Sequence, residues 1–281
     1  MSNIMTGERV LSQPFVSIVI PTYNRLYQLA ELVEALSRQT YKNFEVIIVN
    51  DCGEKVDVLQ EVYPDLNLVM VELEENSKHV LARNQGVLRA KGEFIMLIDD
   101  DDLIIPTHLE TMVGAIKEYD LVYSDVEIVN FAVEDRVRVA ASRFLFAYEM
   151  DLKAMRSFST YVPSGSLYRR ELHQTLGLFD PNVHNYWDWD FFLRVAEKHR
   201  IHRVAKAGVL YDFSDMNNNQ SKDPVSRKAF LDRLSEKHQL GSLPTKNFFQ
   251  LLEQPEVKQR QAESSILWDG QPFRSRLMGF V

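Results

Sequence analysis

Four consecutive aspartates, Asp99, Asp100, Asp101 and Asp102, follow directly on the apolar run Phe94-Ile95-Met96-Leu97-Ile98. Packed side by side they repel one another, and an ordinary turn needs no such cluster. A divalent cation relieves the repulsion. Mg²⁺ or Mn²⁺ typically takes one or two protein carboxylates and completes its shell with water and phosphate oxygens. The competing explanation is a solvated turn capping the helix that Pro106 opens, since Asp102 lies close to that start. A calcium loop is disfavoured, because the spaced Asp-x-Asp-x-Asp-Gly pattern is missing.

Tyr23 and Asp51 fit a nucleobase, one as a ring to stack on and the other as an acceptor for a ring N–H. Each alone also reads as a core aromatic or a turn carboxylate. The sequence has no Gly-x-Gly-x-x-Gly and no Gly-Lys-Ser/Thr loop, which disfavours a Rossmann dinucleotide site and a P-loop. A diphosphate would then fall to a metal and a few cations, with Arg25, Lys78 and Arg83 available.

The elements that must position these residues alternate through the first 125 positions. Strands are expected over 16–20, 45–49, 68–73, 94–98 and 121–123, and helices over 26–38, over 80–90 and from Pro106 to near Tyr119. Such alternation implies βαβ units and a mostly parallel sheet. Ligands bind such sheets at the carboxyl ends of the strands. Those ends carry Pro21-Thr22-Tyr23-Asn24-Arg25, Asn50-Asp51-Cys52-Gly53 and the aspartate run. The second half differs. Residues 126–170 read as a loop-rich layer, 189–198 as a helix, and 201–204 with 207–213 as a strand pair. The polar stretch 215–221 is the clearest linker, and 224–240, 245–252 and 255–267 read as a C-terminal helical appendage.

The 281 residues carry 32 Lys and Arg against 40 Asp and Glu, for a net charge of −8. That sign argues against a nucleic-acid surface. Residues 221–281 are net +3 and residues 1–220 net −11, so the acidic part is the place to look for the chemistry. One cysteine, Cys52, excludes a disulfide framework. No apolar run reaches the ~18 residues of a membrane span, and the start lacks a signal-peptide pattern. A cytoplasmic protein is expected. Phe248, Phe249, Leu251 and Leu252, with Arg274 and Arg276, would either pack back on the main domain or make an interface or a weak contact at the inner membrane face.

The strings Val-Ser-Ile-Val-Ile-Pro-Thr-Tyr-Asn-Arg over 16–25, Leu-Ser-Arg-Gln-Thr-Tyr over 36–41 and Phe-Glu-Val-Ile-Ile-Val-Asn-Asp over 44–51 resemble a family 2 glycosyltransferase of the GT-A fold. So do Ala-Arg-Asn-Gln-Gly over 82–86, the run from Gly92 to Asp102, and Gly-Leu-Phe-Asp over 177–180. The match runs in order from about residue 15 to about 200. It implies a catalytic domain over 1–220, with a donor half at about 15–125 and an acceptor half at about 126–220, followed by a helical extension over 221–281.

The resemblance implies that Pro21, Tyr23 and Asp51 contact the nucleobase, and that Lys78 and Arg83 reach base and phosphates; Arg25 joins them as a further cation for the donor. Asp99-Asp100-Asp101 matches the Asp-x-Asp motif, with Asp100 at the ribose and Asp101 at the metal, Mn²⁺ or Mg²⁺. Trp187-Asp188-Trp189-Asp190 stands where the family has Glu-Asp-Trp-Asp, which makes Asp188 the catalytic base and puts Trp187, Trp189 and Asp190 on the acceptor side. Trp187 replaces the common Glu. Where some members supply a metal-binding His, this chain has Asp212 and Asp215. The implied reaction is inverting transfer from a nucleotide sugar, UDP-linked, to a glycan or lipid-linked glycan hydroxyl. A sugar-nucleotide-forming nucleotidyltransferase and a non-catalytic nucleotide-sugar-binding protein are the rivals.

Overall fold

The computed structural model describes residues 13–214, 224–244 and 248–280. Strands β1 (Val16–Thr22), β2 (Phe44–Asn50), β3 (Leu68–Glu72) and β4 (Phe94–Leu97) pair in parallel in the order β4-β1-β2-β3. Helices α1 (Leu26–Ser37), α2 (Val58–Val62) and α3 (Lys78–Arg89) connect them. Val16, Ile18 and Ile20 pack with Leu29, Leu32 and Leu36 of α1, while Val19, Ile47 and Val49 pack with Val80 and Val87 of α3. Both sheet faces are thus covered, which is why these strands are continuous apolar runs. Gly86 lets α3 lie close, because a Cβ there would collide with the Val19 side chain.

After β5 (Leu103–Ile104) and α4 (His108–Ala115), the sheet continues through β6 (Leu121–Glu134), β7 (Val137–Phe146), β8 (Leu167–Arg169) and β9 (Ile201–Asp212). β8 lies antiparallel between β4 and β6, and β9 runs parallel to β6. β5 pairs antiparallel with β9. The result is a mostly parallel mixed sheet with helices on both faces.

The expected loop-rich layer over 126–170 is corrected by the long hairpin β6–β7. It turns through Asp135 and Arg136, at φ 46° and 63°, the left-handed pair that favours a tight hairpin. Charged residues hid it from the apolar pattern. Glu127 is buried with Arg143 at 3.2 Å, and Arg138 is buried between Glu31 and Asp212. The expected strand pair after 200 is one strand, β9, with register shifts opposite Ser124–Val126.

Beyond α5 (Leu172–Leu176), α6 (Trp187–Ala196) begins two residues earlier than expected. The C-terminal part is less helical than expected. It holds α7 (Pro224–His238), α8 (Phe248–Leu252) and α9 (Pro255–Lys258), then an edge strand, β10 (Ser265–Ile266), beside β9. Phe248 stacks on Phe146 at 5.7 Å, and Trp268, Phe273 and Leu277 enter the main core. The expected linker over 215–221 lies outside the described residues. Among the described residues, no helix is long and apolar enough to cross a membrane.

Candidate active site

The ends of β1, β2 and β4 open into one cleft of about 740 Å³. Pro21, Tyr23, Arg25, Asp51, Lys78, Arg83, Asp99, Asp100, Asp101 and Trp187 all line it. Tyr23 presents an accessible ring, 48% exposed. Two loops are locked together beneath it. The Asp51 N–H donates to the Thr22 carbonyl at 2.9 Å, and the Glu54 N–H donates to Asn24 Oδ1 at 2.7 Å. A Cβ on Gly53 would stand 2.8 Å from the Asn24 nitrogen, so glycine is needed for that approach.

Asp51 is buried, and its two oxygens accept the backbone N–H groups of Ser77 and Lys78 at 2.7 and 2.9 Å. Burial raises its pKa against the pull of those bonds. Each carboxylate oxygen has a second lone pair, so the group can still accept from a ligand.

The acid cluster is held by cations and hydroxyls. Arg83, 2% exposed, ion-pairs with Asp99, and its guanidinium lies 4.1 Å from the centre of the Trp187 ring. Thr22 Oγ1 donates to Asp100 at 2.7 Å, and Arg25 Nη1 lies 3.0 Å from Asp100 and 2.5 Å from Asp101. Burial, then the charge of Asp100, pushes the Asp101 carboxyl up to about 7, with Arg25 opposing. Asp102 has a different role from its neighbours. It is fully enclosed and accepts the Asp212 backbone N–H at 2.9 Å, tying the cluster to β9.

These oxygens suit a hard divalent cation. Among the described residues no three His, Cys, Asp or Glu side chains converge as a ready cage. An ion here would take one or two of these carboxylates and complete its shell with water or phosphate oxygens. Arg25 already places positive charge against Asp100 and Asp101, the candidates to hold it.

Asp188 does not line the cleft directly. It follows Trp187 in the first turn of α6, where it accepts backbone N–H groups of that turn. Burial pushes its carboxyl up to about 6; the field of Arg83 lowers it and that of Asp99 raises it. It therefore stands within reach of the charges at the cleft wall.

Trp189 and Asp190, expected on the acceptor side, do not line the cleft with Trp187. Two residues along a helix turn by roughly 200°, so Asp190 faces away from Asp188. It is fully buried against Arg194 at 2.9 Å, His238 at 2.8 Å and Lys237 at 2.7 Å. Trp189 donates its indole N–H to the Met155 carbonyl at 2.8 Å and packs with Leu231 and Leu234 of α7. Both residues fasten α7 to α6.

Sequence reasoning missed several lining residues. Tyr211 stands at the end of β9, within the fields of Asp102, Asp99, Asp101 and Asp188; burial and those charges hold its phenol protonated. Reading 201–212 as one strand and applying the strand-end rule would have found it. Asp212, which the sequence did single out, lines the cleft next to it, and Arg227, which it did not, brings a cation from α7. No spacing in the sequence linked Arg227 to the site. His79 also lines the cleft, with its ring 4.4 Å from that of His184; burial, then Arg83, pushes it down to about 3, so it is neutral at pH 7.

A mostly parallel α/β sheet whose strand ends converge on an acid cluster is the GT-A type of fold. The chain belongs to glycosyl transferase family 2, whose model matches residues 17–177. It is 56% identical over 263 residues to the uncharacterized glycosyltransferase YwdF of Bacillus subtilis, covering 93% of this chain and 98% of that one. Among solved structures it is similar in fold to residues 1–349 of S. aureus TarS in complex with UDP-GlcNAc (TM-score 0.61, 23% identity, 88% of this chain and 72% of that one). It is also similar to the mannosyltransferase PcManGT of Pyrobaculum calidifontis in complex with GDP-Man and Mn²⁺ (TM-score 0.58, 20% identity, 83% and 67%).

Proposed function

We propose that the protein is a metal-dependent, inverting glycosyltransferase that takes a UDP-sugar and glycosylates a hydroxyl of a glycan or lipid-linked glycan. The observation that carries this reading is the convergence of Tyr23, Asp51, Arg83 and the acid cluster on one cleft, with Asp188 in the field of its wall. The solved relatives bound to UDP-GlcNAc and to GDP-Man with Mn²⁺ support the donor class.

Tyr23 offers its face to the uracil, and Asp51 keeps lone pairs for the ring N–H. Lys78, Arg83 and Arg25 supply positive charge along the cleft for the diphosphate. Asp101, with Asp100 beside it, would hold Mn²⁺ or Mg²⁺, which offsets charge building on the leaving diphosphate. Asp188 is the general base. With a carboxyl at about 6 it is largely ionised at pH 7, yet basic enough to take the acceptor's proton as the glycosidic bond forms. One base with no covalent intermediate inverts the anomeric centre.

A UDP-release assay over a panel of UDP-sugars and glycan acceptors tests the reading, with the product's anomeric configuration read by NMR. Inverted product supports it. Retained configuration, or no UDP release with any donor, contradicts it.

A further inference from the structure

Two cations of the chain itself sit on the aspartate run, Arg83 on Asp99 and Arg25 on the next two carboxylates. Arg25 Nη1 bridges Asp100 Oδ1 at 3.0 Å and Asp101 Oδ2 at 2.5 Å. Other groups around this point are already committed. Asp100 Oδ2 accepts from Thr22 at 2.7 Å, the Asp101 carbonyl accepts from Arg138 at 2.6 Å, and Asp102 Oδ1 accepts from the Asp212 N–H at 2.9 Å. Arg25 and Asp101 line the same cleft, so a cation binding that carboxylate from the cleft competes with the guanidinium for Asp101 Oδ2.

Little besides the carboxylates holds Arg25 in place. Its side chain is 26% exposed, and it occupies the N-cap of α1 with non-helical backbone, just after Asn24 at φ 55°. A cation at a helix N-terminus meets the positive end of the macrodipole, which disfavours it there. Neutralising Asp100 and Asp101 would remove both ion pairs of the guanidinium, leave it only the field of Asp99, and set it against the new charge. The same cleft would offer it the phosphate oxygens of a bound nucleotide, which suit its planar fork.

We propose that Arg25 is the resident counter-cation of Asp100 and Asp101, competing with the divalent ion until a nucleoside diphosphate draws the guanidinium away. Ion and nucleotide then bind cooperatively, and by linkage each strengthens the other to the same degree. This inference rests on the metal-dependent reading above.

The test is a titration of the full chain with Mn²⁺, followed by electron paramagnetic resonance, with and without UDP. The wild type is expected to bind Mn²⁺ weakly alone and at least ~10-fold more tightly with UDP, within the usual range of couplings. Arg25→Met is expected to bind Mn²⁺ alone about ten-fold more tightly than the wild type, and to show a smaller gain from UDP. Arg25→Gln, which keeps a polar side chain, serves if the methionine variant does not fold. Free Mn²⁺ affinity that is unchanged or weaker in these variants overturns the role of Arg25 while leaving metal dependence intact. A wild type that binds no Mn²⁺ even with UDP overturns the metal-dependent reading, and this inference with it.

Discussion

The carboxylate of Asp51 accepts the backbone N–H of Lys78 at 2.9 Å, so the residue assigned to the nucleobase also pins the first turn of α3. Two functions therefore rest on one side chain. Asp51→Asn replaces one acceptor oxygen with an N–H₂ group facing the N–H of Ser77 or Lys78. Stability is expected to fall by about 1–3 kcal/mol, the cost of an unsatisfied buried donor. UDP affinity is expected to weaken and its preference over CDP to shrink. Calorimetry with both nucleotides checks this, and unchanged affinity with unchanged preference would remove Asp51 from the base site.

Chelation should act mainly on the nucleotide. The sequence has no phosphate-cradling glycine loop, and on the proposed reading the diphosphate meets the acid end of the cleft through the metal. UDP affinity is expected to drop at least ~10-fold when Mg²⁺ and Mn²⁺ are removed, and Asp101→Ala is expected to do the same. Equal affinity by calorimetry with and without metal would contradict the assignment of Asp101.

The first half of the chain was legible in the sequence because its strands are buried on both faces. Their apolar runs stand out, and the residues just past their ends are the ones that line the cleft. The second half was harder to read. Glu127, Arg138 and Asp212 are charged yet buried in ion pairs, so the hairpin β6–β7 and the end of β9 look like surface in a hydropathy reading. Tyr211 and Arg227 were missed for the same reason: long-range pairing, not local pattern, delivers them to the cleft. Asp190 shows what a motif does not carry: the helix phase turns its carboxylate toward Lys237 and His238 of α7.

Asp190→Asn tests that structural role. Removing the charge leaves Arg194, His238 and Lys237 without their shared partner, and breaking a buried pair typically costs about 3–5 kcal/mol. Its carboxyl is held below its ordinary value, by its hydrogen bond with His238 and by Arg194 and Lys237 acting against burial. The stabilisation is therefore present above the ordinary carboxylate pKa and lost as pH falls through the folded value. Thermal unfolding at neutral pH should show a clear loss of Tm in the variant, with a smaller difference in acid. A variant as stable as the wild type would contradict the cluster's role.

The pH profile follows from Asp188. Burial raises its carboxyl to about 6, so kcat/KM is expected to be level above that pH and to fall about ten-fold per unit below it, as the base becomes protonated. A profile flat down to pH 5, with the protein still folded, would exclude a base with that pKa.

Glycosyl transfer by Asp188→Asn is the most direct test of the account. The substitution is nearly isosteric and lies outside the residues that line the cleft. The variant should therefore keep its fold and UDP affinity, and lose turnover by at least ~10²-fold, the lower end of a general-base contribution. Turnover near the wild-type level, with UDP affinity unchanged, would contradict Asp188 as the base.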